Sequence, residues 1–352
     1  MAVSPFEHPF LSGIAGRAEI DDILGAAAEI RAMLAFETAL AEATAEVGMI
    51  PDKAVSEIRV AASSYQPDWS RLKSGTLRDG VVVPELVASL KEAVNEETRP
   101  AVHYGATSQD VIDTALVLRL RDILKLFRAD IDAVLEILHN LNEKFGRNEV
   151  MGRTRFQDAL PITFQHRLEN WHVPLSELRQ EMGIMEKSLL KVQFGGAVGT
   201  LDKFGDKGKT VRASLAKKLS LEDAPCWHTD RRSLGSFANW MSAVTAALGK
   251  IGTDIVLMTQ NGVNEMSLTL AGGSSAMAHK KNPVRAEYIM SFARFNAGQA
   301  GVFAQSAVHE FERSGSSLTL EWMILPQMIQ STGASLSHSR ALLDSITDVA
   351  SR

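Results

Sequence analysis

A single cysteine, Cys226, stands among 352 residues. It has no partner for an internal disulfide, which suits a reducing cytoplasm, and a cytoplasmic protein is expected. Aromatic residues are scarce at 6%, glycine and proline are not enriched, and no low-complexity segment occurs. The start, MAVSPFEHPF, has neither a basic cluster nor an apolar core, so no secretion signal is read. No run of about 18 apolar residues is found, so no membrane span is expected. A net charge of −5 is the wrong sign for a nucleic-acid partner, whose phosphates call for a basic surface. The nine histidines form no i,i+4 pair and no Cys/His cluster, so no metal is expected. There is no G-x-x-x-x-G-K-[ST] phosphate loop and no G-x-S-x-G nucleophile elbow.

What is present is helix. Hydrophobic residues reach 45%, enough for a large core. Leu120, Leu124, Phe127, Ile131, Val134, Leu138, Leu141 and Phe145 alternate spacings of four and three, which places them on one stripe of a long helix. A second stripe runs through Met241, Val244, Leu248, Ile251, Ile255 and Met258, and continues in register to Gly262 and Glu265. Segments 17–47, 160–194 and 286–312 also read as long helices. Strand alternation is nearly absent; "GVVVPEL" (80–86) and "KVQFGGAVGT" (191–200) are locally ambiguous. The fold class is all-α, a bundle of long helices. Near 95–103 the pattern breaks, which divides the chain into an N-terminal helical domain (1–101) and a long-helix bundle domain (102–352).

Four polar segments interrupt the helices. "HYGATSQD" (103–110) reads as a helix start, with Thr107 or Ser108 as cap, and a helix start with free N–H groups is also an anion site. "MGRTRFQDALPIT" (151–163) reads most simply as a solvated start to the apolar helix after it. "HEFERSGSSLTLEW" (309–322) reads as a charged helix end and a turn. "GGSSAMAHKKNPVRAE" (272–287) buries little and offers hydroxyls, a cation and the N–H groups of small residues. That set suits an enzyme holding an enolate-like carboxylate.

This last segment resembles the signature loop of the fumarase/aspartase superfamily, in Gly273, Ser274, Ser275, Met277, Lys280, Asn282 and Glu287, with Ala278 in place of the family's proline. The segments at 103 and 151 resemble the family's other two motifs. The resemblance implies a homotetramer with a central helical bundle, sites built from three subunits, and Gln260 and Glu265 directed into a site cavity. Family members commonly run about a hundred residues longer, so a third, C-terminal domain is expected to be absent.

Most members carry G-R-T-H in the second motif, where the histidine moves protons; here the matching residue is Arg155. Arginine supplies no proton near neutral pH, and a carboxylate leaving group, with a conjugate-acid pKa near 4, needs none. One branch of the family uses such a group, closing 3-carboxy-cis,cis-muconate to a lactone. "FGGAVGTL" (194–201), "WHTDRR" (227–232) and "FERSGSSLTLEW" (311–322) are similar to that branch, with Leu318 where tryptophan is expected. A sulfonated muconate, an adenylosuccinate-type elimination and a non-catalytic crystallin-like role are the alternatives. The resemblance implies Ser275 as base, Ser274 as second choice, and Lys280 as the catalytic cation. His103, Thr107, Ser108, Arg153, Thr154, Arg155, Gln157, Asn282 and Arg313 would bind a polycarboxylate. No cofactor is implied.

Overall fold

The computed structural model describes residues 4–277 and 280–350. Its longest helix, α7 (Ser108–Phe145), follows from the first stripe, all eight members of which are buried. Thr107 starts it with a capping box, its own N–H donating to the Asp110 carboxylate at 3.0 Å. At 38 residues α7 spans about 57 Å. The second stripe gives α10 (Arg232–Thr259), also buried along its length. By length and composition alone α10 could cross a membrane, contrary to the expectation that no such run exists. It packs instead on α8 (Phe164–Leu189), α11 (Val284–Ala304) and α12 (Gly315–Asp344). The α10–α11 contact is close because Gly249 has no Cβ; one there would lie 2.7 Å from the Ala293 Cβ. The five long helices run up, down, up, down, up, so the bundle has two ends.

Shorter helices come first: α1 (Ser12–Ala15), α2 (Ala18–Leu24), α3 (Ala26–Glu46), α4 (Asp52–Ser64), α5 (Trp69–Asp79) and α6 (Val83–Glu92). Together with α9 (Gly208–Leu219), α3 covers one side of the region around α7. The ambiguous 80–86 segment becomes the start of α6, because Pro84 lacks an N–H and fits a first helical turn. Segment 191–200 is neither helix nor strand: Lys191 bridges to Glu222, and residues 197–200 turn the chain, with Gly196 and Gly199 at positive φ. Buried apolar side chains from Ile20 to Val349 form one contiguous cluster.

Four outcomes differ from the sequence reading. Segment 17–47 is broken at Gly25, where the backbone leaves helical geometry. Segment 160–194 begins as a helix only at Phe164, and 286–312 ends as one at Ala304. The stretch read as a helix start at 151–163 is a β-hairpin, β1 (Glu149–Thr154) with β2 (Gln157–Thr163). Finally, α10 stops at Thr259, and Gly262, at φ +88°, turns the chain before Glu265. A second small sheet pairs β3 (Met266–Leu268) with β4 (Ile346–Val349).

Candidate active site

The polar segments divide between the two ends of the bundle. At the end where α7 begins, Asp110 is fully buried and accepts four hydrogen bonds. The N–H groups of Gly195 and Gly196 donate at 2.9 Å each, that of Thr107 at 3.0 Å, and His228 Nε2 lies at 2.8 Å. Asp110 thereby fixes the first turn of α7 to the 194–199 loop. Burial works against a charge on His228, but Asp110 outweighs it and the pKa is pushed up to about 9. The folded value exceeds the unfolded 6.5, so the imidazolium favours the folded state. Its contribution is complete below pH 6.5 and lost as pH rises through about 9. Urea unfolding across that window should show falling stability, with a flatter profile in His228→Gln. Equal slopes in the two proteins would remove His228 as the cause.

Three turns of chain chemistry meet beside it. Arg231 grips Asp113 of α7 at 2.7 and 2.8 Å and Glu321 of α12 at 2.8 and 2.6 Å, with all three side chains buried. The guanidinium also lies 5.0 Å from the Trp227 ring. Burial raises the Glu321 pKa despite Arg231. This knot holds α7, α10 and α12 together at one point. Just outside it, the exposed Arg313 donates to the Thr107 hydroxyl. His103, at φ +59°, places Nδ1 2.6 Å from buried Glu37. Burial opposes its charge, yet Glu37 prevails and the pKa is raised.

The other end carries the hairpin and the signature loop. Thr154 pairs with Gln157, which leaves Arg155 and Phe156 as a two-residue turn at φ +53° and +65°. Both residues being left-handed matches the primed turn that hairpin twist favours, although asparagine and glycine are the usual occupants. Both are exposed, and with Thr154 they line a groove of about 580 Å³ against α8 and α10 that also includes Gln260. The hairpin base is pinned by Glu265, only 2% exposed. This carboxylate takes Arg153 at 2.8 Å, the Met151 N–H at 3.1 Å and Arg167 at 3.5 Å. Arg153 also bonds Asp158 at 2.8 Å. The expectation that Glu265 points into a cavity is therefore corrected: the turn at Gly262 carries it into a salt-bridged anchor.

The signature loop is closed at its neck. Gly272 and Asn282 exchange backbone hydrogen bonds of 2.7 and 2.9 Å, and the Asn282 amide donates to the Gly273 carbonyl at 3.4 Å. Ser274 is half-buried and its hydroxyl accepts from the N–H groups of Ala276 and Met277, at 3.3 and 3.1 Å. Ser275 is exposed, as is Lys280, which lines a second groove of about 620 Å³ with Glu287. Ala278 and His279 lie outside the described residues.

Among the expected site residues, His103, Thr107, Ser108 and Arg313 thus gather at one end of the bundle. Arg153, Thr154, Arg155, Gln157, Ser274, Ser275, Lys280 and Asn282 lie at the other, separated from the first group by the length of α10 (Arg232–Thr259). Sequence reasoning missed Asp113, His228, Arg231 and Glu321 as a connected group. A signal existed for part of it: Asp110, Asp113 and Val117 continue the α7 stripe backward at the same spacing, so two aspartates occupy core positions.

Over residues 16–296 the chain matches the profile of a family described as lyase. It is 36% identical over 344 residues to the 3-carboxy-cis,cis-muconate cycloisomerase of Bradyrhizobium diazoefficiens, covering 96% of this chain and 75% of the relative. The enzyme of the same name from Acinetobacter baylyi is 33% identical, over 92% of this chain and 74% of its own length. The solved 3-carboxy-cis,cis-muconate lactonizing enzyme of Pseudomonas putida superimposes with a TM-score of 0.90 at 32% identity, over 97% of this chain and 77% of that one. The chain therefore spans about three quarters of the length of these relatives. With the profile covering most of the helical bundle and both ends of it, the chain belongs to the lyase family of the fumarase/aspartase superfamily.

Proposed function

We propose that this enzyme is a cycloisomerase that closes 3-carboxy-cis,cis-muconate to a carboxymuconolactone in the protocatechuate branch of aromatic degradation. The observation that carries the reading is Arg155, an exposed cation at the hairpin tip, at the position where most members of the superfamily are expected to carry a proton-transferring histidine. The named relatives support the same reaction. In the lactone-forming direction a substrate carboxylate oxygen adds to a ring-closing alkene carbon, and the electron pair moves onto the carbon next to another carboxylate. Lys280, with Asn282, holds the resulting dianion, and Ser275 delivers the proton that quenches it. In reverse the carboxylate leaves unassisted, so no acid is required at position 155.

The parts lie at opposite ends of one chain, which supports a homotetramer whose sites combine Thr107, Ser108, His103 and Arg313 of one subunit with the hairpin and loop of others. Arg153, spent on Glu265 and Asp158, serves this site by aiming the hairpin. Thr154, Arg155 and Gln157 contact the substrate. The compartment is the cytoplasm.

Ultraviolet absorbance of 3-carboxy- and 3-sulfo-muconate, followed side by side, tests the reading. The carboxylated diene should disappear faster; preference for the sulfonate would reassign the substrate, and turnover of adenylosuccinate would replace the reaction. Arg155→Lys keeps charge but loses the two-pronged fit, and should lower kcat/KM by about 1–3 kcal/mol in activation free energy. Arg155→His should be slower still. A faster Arg155→His enzyme with a histidine-like pH profile would sink the acid-free mechanism.

A further inference from the structure

Cys226 lies at the end of the bundle where α7 begins, half-buried beside the 194–199 loop. Two groups converge on its sulfur. Gln193 is fully buried, and its Oε1 accepts the Trp227 N–H at 2.8 Å, which fixes the amide's orientation. Its Nε2 then donates to Cys226 Sγ at 3.4 Å. The second group is His228, only 3% exposed. Asp110 claims its Nε2, so Nδ1 is the ring nitrogen left over, and it has no partner at full hydrogen-bonding geometry. The polar group it faces is the Cys226 thiol. A buried imidazole held by a carboxylate, with its second nitrogen turned to a sulfur, is an arrangement that activates a thiol.

We propose that Cys226 is an oxidation and alkylation site for small electrophiles, hydroperoxides foremost, built on the Asp110–His228 couple. Burial pushes the thiol's pKa up, but His228 and Gln193 outweigh it and the net shift is downward. With a hydroperoxide, the thiolate sulfur attacks the terminal peroxide oxygen. An S–O bond forms, the O–O bond breaks, sulfur is oxidised by two electrons, and the alkoxide leaves to take a proton from water. The product is a sulfenic acid, which a dithiol reduces back to the thiol.

The modified sulfur has no room to expand on its loop side. A Cβ at Gly195 would already lie 2.5 Å from Sγ. Gly195 and Gly196 are the residues that donate to Asp110, and Asp110 closes the capping box on Thr107. Oxidation therefore pushes on the turn that presents Thr107 and Ser108, and turnover falls.

Because the chain has one cysteine, iodoacetamide uptake by the native protein reports this residue alone. The pH midpoint of its alkylation rate should fall below the ordinary thiol value of about 8.5, and His228→Gln should move it upward. A native midpoint at or above about 8.5 overturns the proposal whether or not the variant folds. This measurement uses no substrate, so it stands apart from the reaction assigned above. Hydrogen peroxide should then inactivate the wild-type enzyme, dithiothreitol should restore it, and Cys226→Ser should resist. Equal inactivation of Cys226→Ser would disconnect the thiol from the site.

Discussion

Ser275→Ala is expected to lower kcat by roughly 100- to 10,000-fold while KM changes little, the range that a positioned proton donor or acceptor contributes. The structure separates the two loop serines by what each already does. Ser274 caps the loop's own turn through two backbone N–H groups, whereas Ser275 is exposed on the same loop as Lys280, a loop whose neck is held shut by Gly272 and Asn282. Ser274→Ala should accordingly cost less, through a loosened turn. Mixing denatured Ser275→Ala with Arg313→Ala and refolding them together should recover part of the turnover. Arg313 and Ser275 lie at opposite ends of a chain, so a hybrid of the proposed tetramer would contain sites in which both are wild type. A Ser275→Ala enzyme with near-normal kcat would remove it as the proton carrier, and hybrids with no recovered activity would argue against shared sites.

Arg231→Met should be the most destabilising single change at the α7 start. It leaves Asp113 and Glu321 buried, facing each other with no cation, and it strips the guanidinium from Trp227. Breaking a buried pair from one side costs about 3–5 kcal/mol, a large part of the stability of an ordinary domain. Gln109 offers only partial relief, its amide donating to Asp113 at 3.1 Å. Urea unfolding should show the midpoint drop sharply in Arg231→Met and largely recover when Asp113→Leu and Glu321→Leu are added, since an apolar replacement of a whole triad is often close to neutral. Retention of wild-type stability by Arg231→Met would mean that water already compensates these carboxylates.

The long helices were legible because each buries a continuous stripe, and a stripe is a property of local sequence. The hairpin was not. Every β2 residue except Ile162 is exposed, and a strand with no buried face leaves no two-residue alternation to read. The partners of the buried ion knot were equally hidden. Arg231 meets Asp113 from 118 residues away and Glu321 from 90, and nothing in either neighbourhood announces the other. Asp113 alone left a signal that could have been read, as a charge in register with the buried α7 stripe. The expected site residues were named by motif, yet their separation into two groups became visible only when α7 had a length and a direction.

The Arg155–Phe156 turn restricts how this family member can vary. Left-handed backbone at both positions is tolerated by glycine, asparagine and aspartate and resisted by valine, isoleucine and threonine, whose branched Cβ collides with the main chain. Selection at position 155 therefore works from a short menu fixed by geometry before any substrate is considered. Asparagine or glycine there would relax the turn and would also remove the cation, so a more comfortable loop would come at the expense of the anion site proposed for Arg155. Arginine in that conformation is therefore a local cost to folding, one that the proposed anion-binding role would offset.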